Sequence, residues 1–215
     1  MHVAEIWRYP VKSMAGERIP TAEITREGIV GDRVVQVQDG RGLTITSRTH
    51  PGLLAFKATL GPDGEPRVNG QPYTAREVVE AVRRVAGSGA RLVRDDSTDR
   101  FDVLPLLVAT DGAIAHLGVD RRRFRPNILV GGVEGLAERA WPGRRMGIGT
   151  AVAGFKKLRG RCVMTTWDPD TLEQDPSVLE RIIAELGGRL ALDTFVVEEG
   201  RVAVGDPVEL LAGGV

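Results

Sequence analysis

Val34-Val35-Gln36-Val37-Gln38 and Leu43-Thr44-Ile45-Thr46 stand on either side of Asp39-Gly40-Arg41-Gly42. Two short runs rich in β-branched residues around a glycine-containing turn read as a hairpin. The same texture extends outward along the chain. Val68-Asn69-Gly70-Gln71 carries the Asn-Gly signal of a tight turn. Val196-Val197 and Val202-Ala203-Val204 flank Glu198-Glu199-Gly200-Arg201 as a third expected hairpin. Val103 to Ala109, Asn127 to Val130 and Ala151 to Leu158 read as further strands, with 27 glycines and 12 prolines supplying turns.

Helices are few. Thr74-Ala75-Arg76-Glu77 has capping-box spacing, Val78, Val79, Val82, Val85 and Ala86 follow at helical intervals, and Gly87 offers a stop. Asp175 and Pro176 open a second helix whose apolar face is Val178, Leu179, Ile182, Ile183 and Leu186, ended by Gly187-Gly188. A third, short one runs from Asp111 to Leu117 with Thr110 as cap and Gly118 as stop. Many strands and two or three helices predict an α+β protein, mostly β, built on a β-barrel. Ala86-Gly87-Ser88-Gly89-Ala90 offers a boundary and suggests domains 1–88 and 89–215, although a helix-to-strand loop has the same composition.

The chain has 215 residues with 29 basic and 29 acidic side chains, a formal net charge of +0. Such balance argues against a general nucleic-acid binder or a polybasic membrane-surface protein. No run approaches the roughly 18 apolar residues of a membrane span. The N-terminus lacks the layout of a signal peptide. One cysteine allows no intramolecular disulfide, so the expected compartment is the cytoplasm.

That cysteine, Cys162, sits in Arg161-Cys162-Val163-Met164-Thr165-Thr166-Trp167-Asp168-Pro169-Asp170. A neighbouring cation favours the thiolate, which is both nucleophile and metal ligand. A lone cysteine is also commonly an inert buried one. His2, His50 and His116 form no spacing signature with it, and no structural zinc motif exists. Cys162 as sole protein ligand of a preassembled metal cofactor stays open. Lys12-Ser13, Thr46-Ser47-Arg48, Thr110-Asp111 and Arg121 to Asn127 all fall at strand ends, where they can converge on an anionic, phosphate-bearing ligand. Each is equally readable as a solvated surface group, and Arg121 and Arg122 are left as such. Asp168 and Asp170, beside Pro169, suit an acid–base pair or, more simply, a turn.

Taken in order, these segments resemble the MOSC-domain superfamily, in the branch with an N-terminal β-barrel extension that includes the amidoxime-reducing proteins. The resemblance rests on Trp7 to Ser13, Gly28 to Arg33, Leu43 to Arg48, Phe124 to Ile128, Arg161 to Thr171 and Val204 to Val208. It implies a MOSC-type β-barrel with a smaller N-terminal β-rich domain. It implies that Cys162 ligates molybdenum carried by the molybdenum cofactor (Mo-molybdopterin). It further implies that Lys12, Ser13, Arg48, Thr110, Asp111, Arg125, Asn127, Thr165 and Thr166 contact that cofactor, and that Asp168 relays protons. Pyridoxal phosphate binding is a family-level association only. The implied activity is reduction of N-hydroxylated or N-oxygenated compounds; with no iron–sulfur module expected, electrons are expected from a separate ferredoxin, flavoprotein or cytochrome, and with no sulfurase domain expected, the chain is not expected to make its own persulfide. A persulfide carrier or cofactor-trafficking protein using Cys162, and a non-enzymatic anion-binding module, are the alternatives. Two departures stand out: Leu172 where relatives often have glycine, and Ala113 where a hydroxyl residue is common.

Overall fold

Eight strands form the dominant sheet of the computed structural model, which describes residues 1–214. Across the sheet they run Val208–Gly214, Arg144–Ile148, Ala151–Gly160, Arg189–Glu198, Leu106–Thr110, Ile128–Gly131, His2–Arg8 and Glu17–Ile19. All neighbours are antiparallel except Leu106–Thr110 and Ile128–Gly131. That parallel pair needs a crossover, and a helix supplies it. The sheet curls on itself. The amide of Val3 donates to the Asp206 carbonyl at 2.9 Å and that of Val208 to the Met1 carbonyl at 3.0 Å, so the first strand meets the entry to the last. Closure removes sheet edges that would otherwise be open. Inside lie Val3, Ile6, Leu106, Ile128, Met146 and Phe155, all fully buried. The protein is α+β and mostly β, with three α-helices among the described residues: α1 (Arg76–Ala86), α2 (Asp111–Leu117) and α3 (Ser177–Leu186).

A second core belongs to the N-terminal part. Val78, Val82 and Ala86 of α1 pack with Val35, Val37 and Val68 from two three-stranded sheets and with Leu53 of the 3-10 helix Pro51–Ala55. The opening hairpin forms as Val35–Gln38 against Thr44–Ile45, and Asn69 and Gly70 turn with φ of 50° and 82°, as a primed turn requires. A third cluster joins α2 and α3 through Leu117, Phe124, Val178, Ile182 and Leu186. It underlies the segment that carries Cys162.

Several expectations shift. The expected third hairpin does not form: Gly200–Ala203 pairs with Thr21–Thr25. Both edges of Arg189–Glu198 are already bonded, to Ala151–Gly160 and to Leu106–Thr110, so it has no edge left to offer. The capping box at Thr74 is not made, because α1 starts one residue late with Ala75 at its cap. At α3 the cap position falls on Pro176, one residue after the expected Asp175, although the Asp175 carboxylate still accepts from the Ser177 amide at 3.1 Å. Thr110 caps α2 by accepting from the Ala113 amide at 3.2 Å. The strand expected from Val103 begins at Leu106.

A cut at residues 88/89 would part strands that belong together. Arg91–Arg94 pairs with Val35–Gln38 of the N-terminal part, and His2–Arg8 lies within the large sheet. Among the described residues no helix is long and apolar enough to cross a membrane.

Candidate functional site

Cys162 follows the ten-residue strand Ala151–Gly160 and caps a single 3-10 turn, Val163–Thr166. It is half-buried and faces a cleft between the N-terminal part and one end of the large sheet. Lys12, Ser13 and Arg48 reach this cleft from one side, Arg125 and Asn127 from the other. Three segments far apart in sequence therefore converge on the thiol.

Backbone conformation marks the same place. Ser13, Arg33 and Arg125 line the cleft with φ of 70°, 57° and 55°. Left-handed conformations cost non-glycine residues roughly 1–2 kcal/mol each. Three together are strain held by surrounding contacts, and such strain gathers at functional sites.

The cations fall into two groups. Lys12 and Arg48 share the carboxylate of Asp102, each at 3.0 Å. Burial would raise that carboxyl, but Lys12, Arg48 and Arg33 overcome it and hold it below the usual range. Arg33 pairs with buried Asp32, and Arg159 with buried Asp193. Among the described residues Arg125 and Arg161 have no carboxylate partner. Arg125 lies over the Tyr9 ring, 4.3 Å from its centroid, and its Nη2 is enclosed without a partner. Arg161 donates to the Phe124 carbonyl at 3.0 Å, while its Nε is enclosed and unpartnered. Burial pushes both guanidinium groups down to about 10, which leaves them charged at neutral pH. The Ser47 hydroxyl, on the same lining, is buried and unpartnered. Two desolvated positive charges and a spare donor form a site that an anion would complete.

Other expected contacts are spent elsewhere. Asn127 lines the cleft, but its amide accepts from the Leu107 amide and donates to Asp32 at 3.0 Å. Thr110 and Asp111 are not on the lining. Thr110 caps α2, and Asp111 accepts from the amides of Gly132 at 2.7 Å and Val133 at 3.0 Å, pinning that loop. Thr165 and Thr166 are buried and bond backward, to the carbonyls of Cys162 at 3.0 Å and Val163 at 2.7 Å. They shape the turn that presents the thiol. Asp168, expected as a proton relay, is also not on the lining. It accepts from the amides of Asp170 and Thr171 and pairs with Arg123 at 2.9 Å. The Thr171 and Asp170 amides, then Arg123, hold it below the usual carboxylate range. Arg121 and Arg122 are ordinary ion pairs, with Glu5 and with Asp120 and Asp170.

Asp32, Asp102 and Asp193 were invisible as site residues in the sequence. Their partners lie up to 95 positions away, and no local spacing signals them.

Residues 1–101 match the MOSC N-terminal beta barrel domain, and residues 108–209 match the MOSC domain. The chain belongs to the MOSC-domain superfamily. The two matched regions meet at residues 101–108, after the Arg91–Arg94 strand rather than before it. The Cys162 cleft draws on both. Among similar proteins, human mitochondrial amidoxime-reducing component 1 is 28% identical, over 97% of this chain and 82% of that protein. Human mitochondrial amidoxime reducing component 2 is also 28% identical, over 96% and 82%. The crystal structure of the YuaD protein from Bacillus subtilis superposes with a TM-score of 0.54 at 12% identity, covering 97% of this chain and 94% of that one. That likeness concerns the MOSC fold alone.

Proposed function

We propose that this MOSC protein is a molybdenum-cofactor-dependent oxidoreductase that reduces N-hydroxylated or N-oxygenated compounds with electrons from a separate protein. The observation that carries the reading is a pair of enclosed, carboxylate-free guanidinium groups, Arg125 and Arg161, beside the one thiol of the chain. The names of the similar amidoxime-reducing proteins agree with it.

The residues suit such a cofactor in kind. Among the described residues no three His, Cys, Asp or Glu side chains gather to hold a bare metal ion. A metal there has to bring most of its own ligands, and a soft thiolate matches a centre already bound to sulfur. Cys162 would be its protein ligand. Arg125, Arg161 and Ser47 would hold the anionic groups of the pterin and its phosphate, with Lys12, Ser13 and Arg48 at the other wall. The enclosed volume is about 140 Å³. That is below the roughly 300–1,000 Å³ of small-molecule sites, so the lining would open to seat the cofactor. The Arg48–Asp102 pair on that lining is exposed, and surface ion pairs contribute at most about 1 kcal/mol.

When bound, the cofactor supplies two-electron oxygen-transfer chemistry. The chain supplies the rest: it fixes the thiol through the Thr165 and Thr166 bonds, places positive charge around the site, and keeps carboxylates paired with arginines. Protein made in a host that synthesises the cofactor should carry molybdenum and pterin in similar amounts. Folded protein with neither would overturn the reading, and labile sulfur on Cys162 without molybdenum would turn it towards sulfur transfer.

A further inference from the structure

A larger cleft of about 830 Å³ adjoins the Cys162 cleft. Its size is that of small-molecule sites generally. The two share Arg123, Arg125 and Met164, and Met164 is two residues from Cys162. A molecule in the larger cleft would therefore sit against the wall of the smaller one.

Its walls suit a flat ring. Trp7 and Tyr9 lie stacked, with centroids 6.5 Å apart and planes at 19°. Trp167 contributes a second indole, whose N–H is enclosed and has no acceptor in the protein. Leu172 adds an apolar side chain while held at φ 58°, a left-handed conformation that disfavours a leucine. Strain of that kind, retained at a cleft, is a mark of use.

Its charge is one-sided. Five cations line it (Arg18, Lys57, Arg122, Arg123 and Arg125) against two carboxylates, Glu17 and Asp170. Both carboxylates are taken: Glu17 by Arg8 and the Leu60 amide, each at 2.8 Å, and Asp170 by Arg122 at 2.6 Å. Lys57 forms no ion pair among the described residues, and neither does Arg125. Arg18, Arg122 and Arg123 are likewise paired, with Glu5, with Asp120 and Asp170, and with Asp168, so the charge left for a ligand to balance is that of Lys57 and Arg125.

We infer that this cleft is the substrate site, and that it takes a flat aromatic N-oxygenated compound bearing an anionic group, a carboxylate or a phosphate. The word N-oxygenated rests on the oxidoreductase reading; the ring and the charge rest on the cleft alone. The test separates them. Full-length metal-free protein is titrated with benzamidoxime, 4-carboxybenzamidoxime and the phosphate monoester of 4-hydroxybenzamidoxime, following quenching of tryptophan fluorescence. At low salt an anionic probe should bind at least about fivefold tighter than the neutral one, and added salt should shrink that ratio. Lys57→Ala should bring the ratio towards one. Leu172→Gly, which relieves the left-handed strain and keeps the fold, should weaken every probe. Tightening by the carboxylate alone or the phosphate alone supports the inference and identifies the group. Absent quenching, or equal binding of neutral and anionic probes, overturns it. Binding with this preference in a protein that reduces none of the probes once loaded overturns the oxidoreductase reading and leaves the charge-selective cleft standing.

Discussion

Cys162→Ser should lose activity towards an N-hydroxylated substrate by about a hundredfold or more while the protein stays folded. The loss corresponds to about 2.7 kcal/mol of transition-state stabilisation, at 1.36 kcal/mol per tenfold. The fold should tolerate the change because the thiol supports nothing: Cys162 is half-buried, and its side chain makes no capping bond to the turn that follows. The turn is held by the Cys162 carbonyl and the two threonines, which the substitution leaves intact. Exposed or half-exposed substitutions without a lost partner stay within about 0.5 kcal/mol. Steady-state reduction with a chemical electron donor, alongside urea unfolding, measures both halves. Activity retained within threefold would remove Cys162 from the chemistry.

The largest expected effect on stability is at a residue that touches no substrate. Asp32→Ala should destabilise the protein by about 3–5 kcal/mol, the cost of leaving a buried charge without its partner. Asp32 is fully buried and accepts from the Tyr9 amide at 2.7 Å, from Asn127 at 3.0 Å and from Arg33. Its removal strands all three groups. Two of them, Arg33 and Asn127, line the Cys162 cleft, and Tyr9 lies beneath Arg125. Asp32→Asn keeps an acceptor and should cost less. Urea unfolding reads the difference as a fall in midpoint at constant slope. A shift under about 1 kcal/mol for the alanine variant would show that the Asp32 network does not hold the two parts of the protein together.

Local signals in the sequence carried a good part of the fold. Turn chemistry located the Asp39–Gly42 and Asn69-Gly70 hairpins, and Thr110 with Gly118 bounded α2 because both ends of a short helix are set by side chains nearby. The third hairpin failed for a reason no local pattern contains: its expected partner strand already had neighbours on both edges. Likewise the boundary at residue 88 ignored the pairing of Arg91–Arg94 with Val35–Gln38, a contact across more than fifty residues.

The site divides the same way. Lys12, Ser13, Arg48, Arg125 and Cys162 do meet, as strand-end positions suggested. Thr165 and Thr166 build the turn that carries the thiol and Asp168 holds the turn after it, because hydroxyls and carboxylates so near in sequence find backbone partners first. Leu172 in place of glycine becomes intelligible only with its φ of 58° and its place on the second cleft. Arg161 gains weight through its burial, which sequence cannot display.

The central claim is that Cys162 binds a molybdenum centre that brings its remaining ligands with it. X-ray absorption at the molybdenum edge, on wild-type protein and Cys162→Ser made in the same cofactor-producing host, tests it most directly. The account predicts that the substituted protein loses one sulfur from the metal's first coordination sphere. A sulfur count unchanged by the substitution would contradict it.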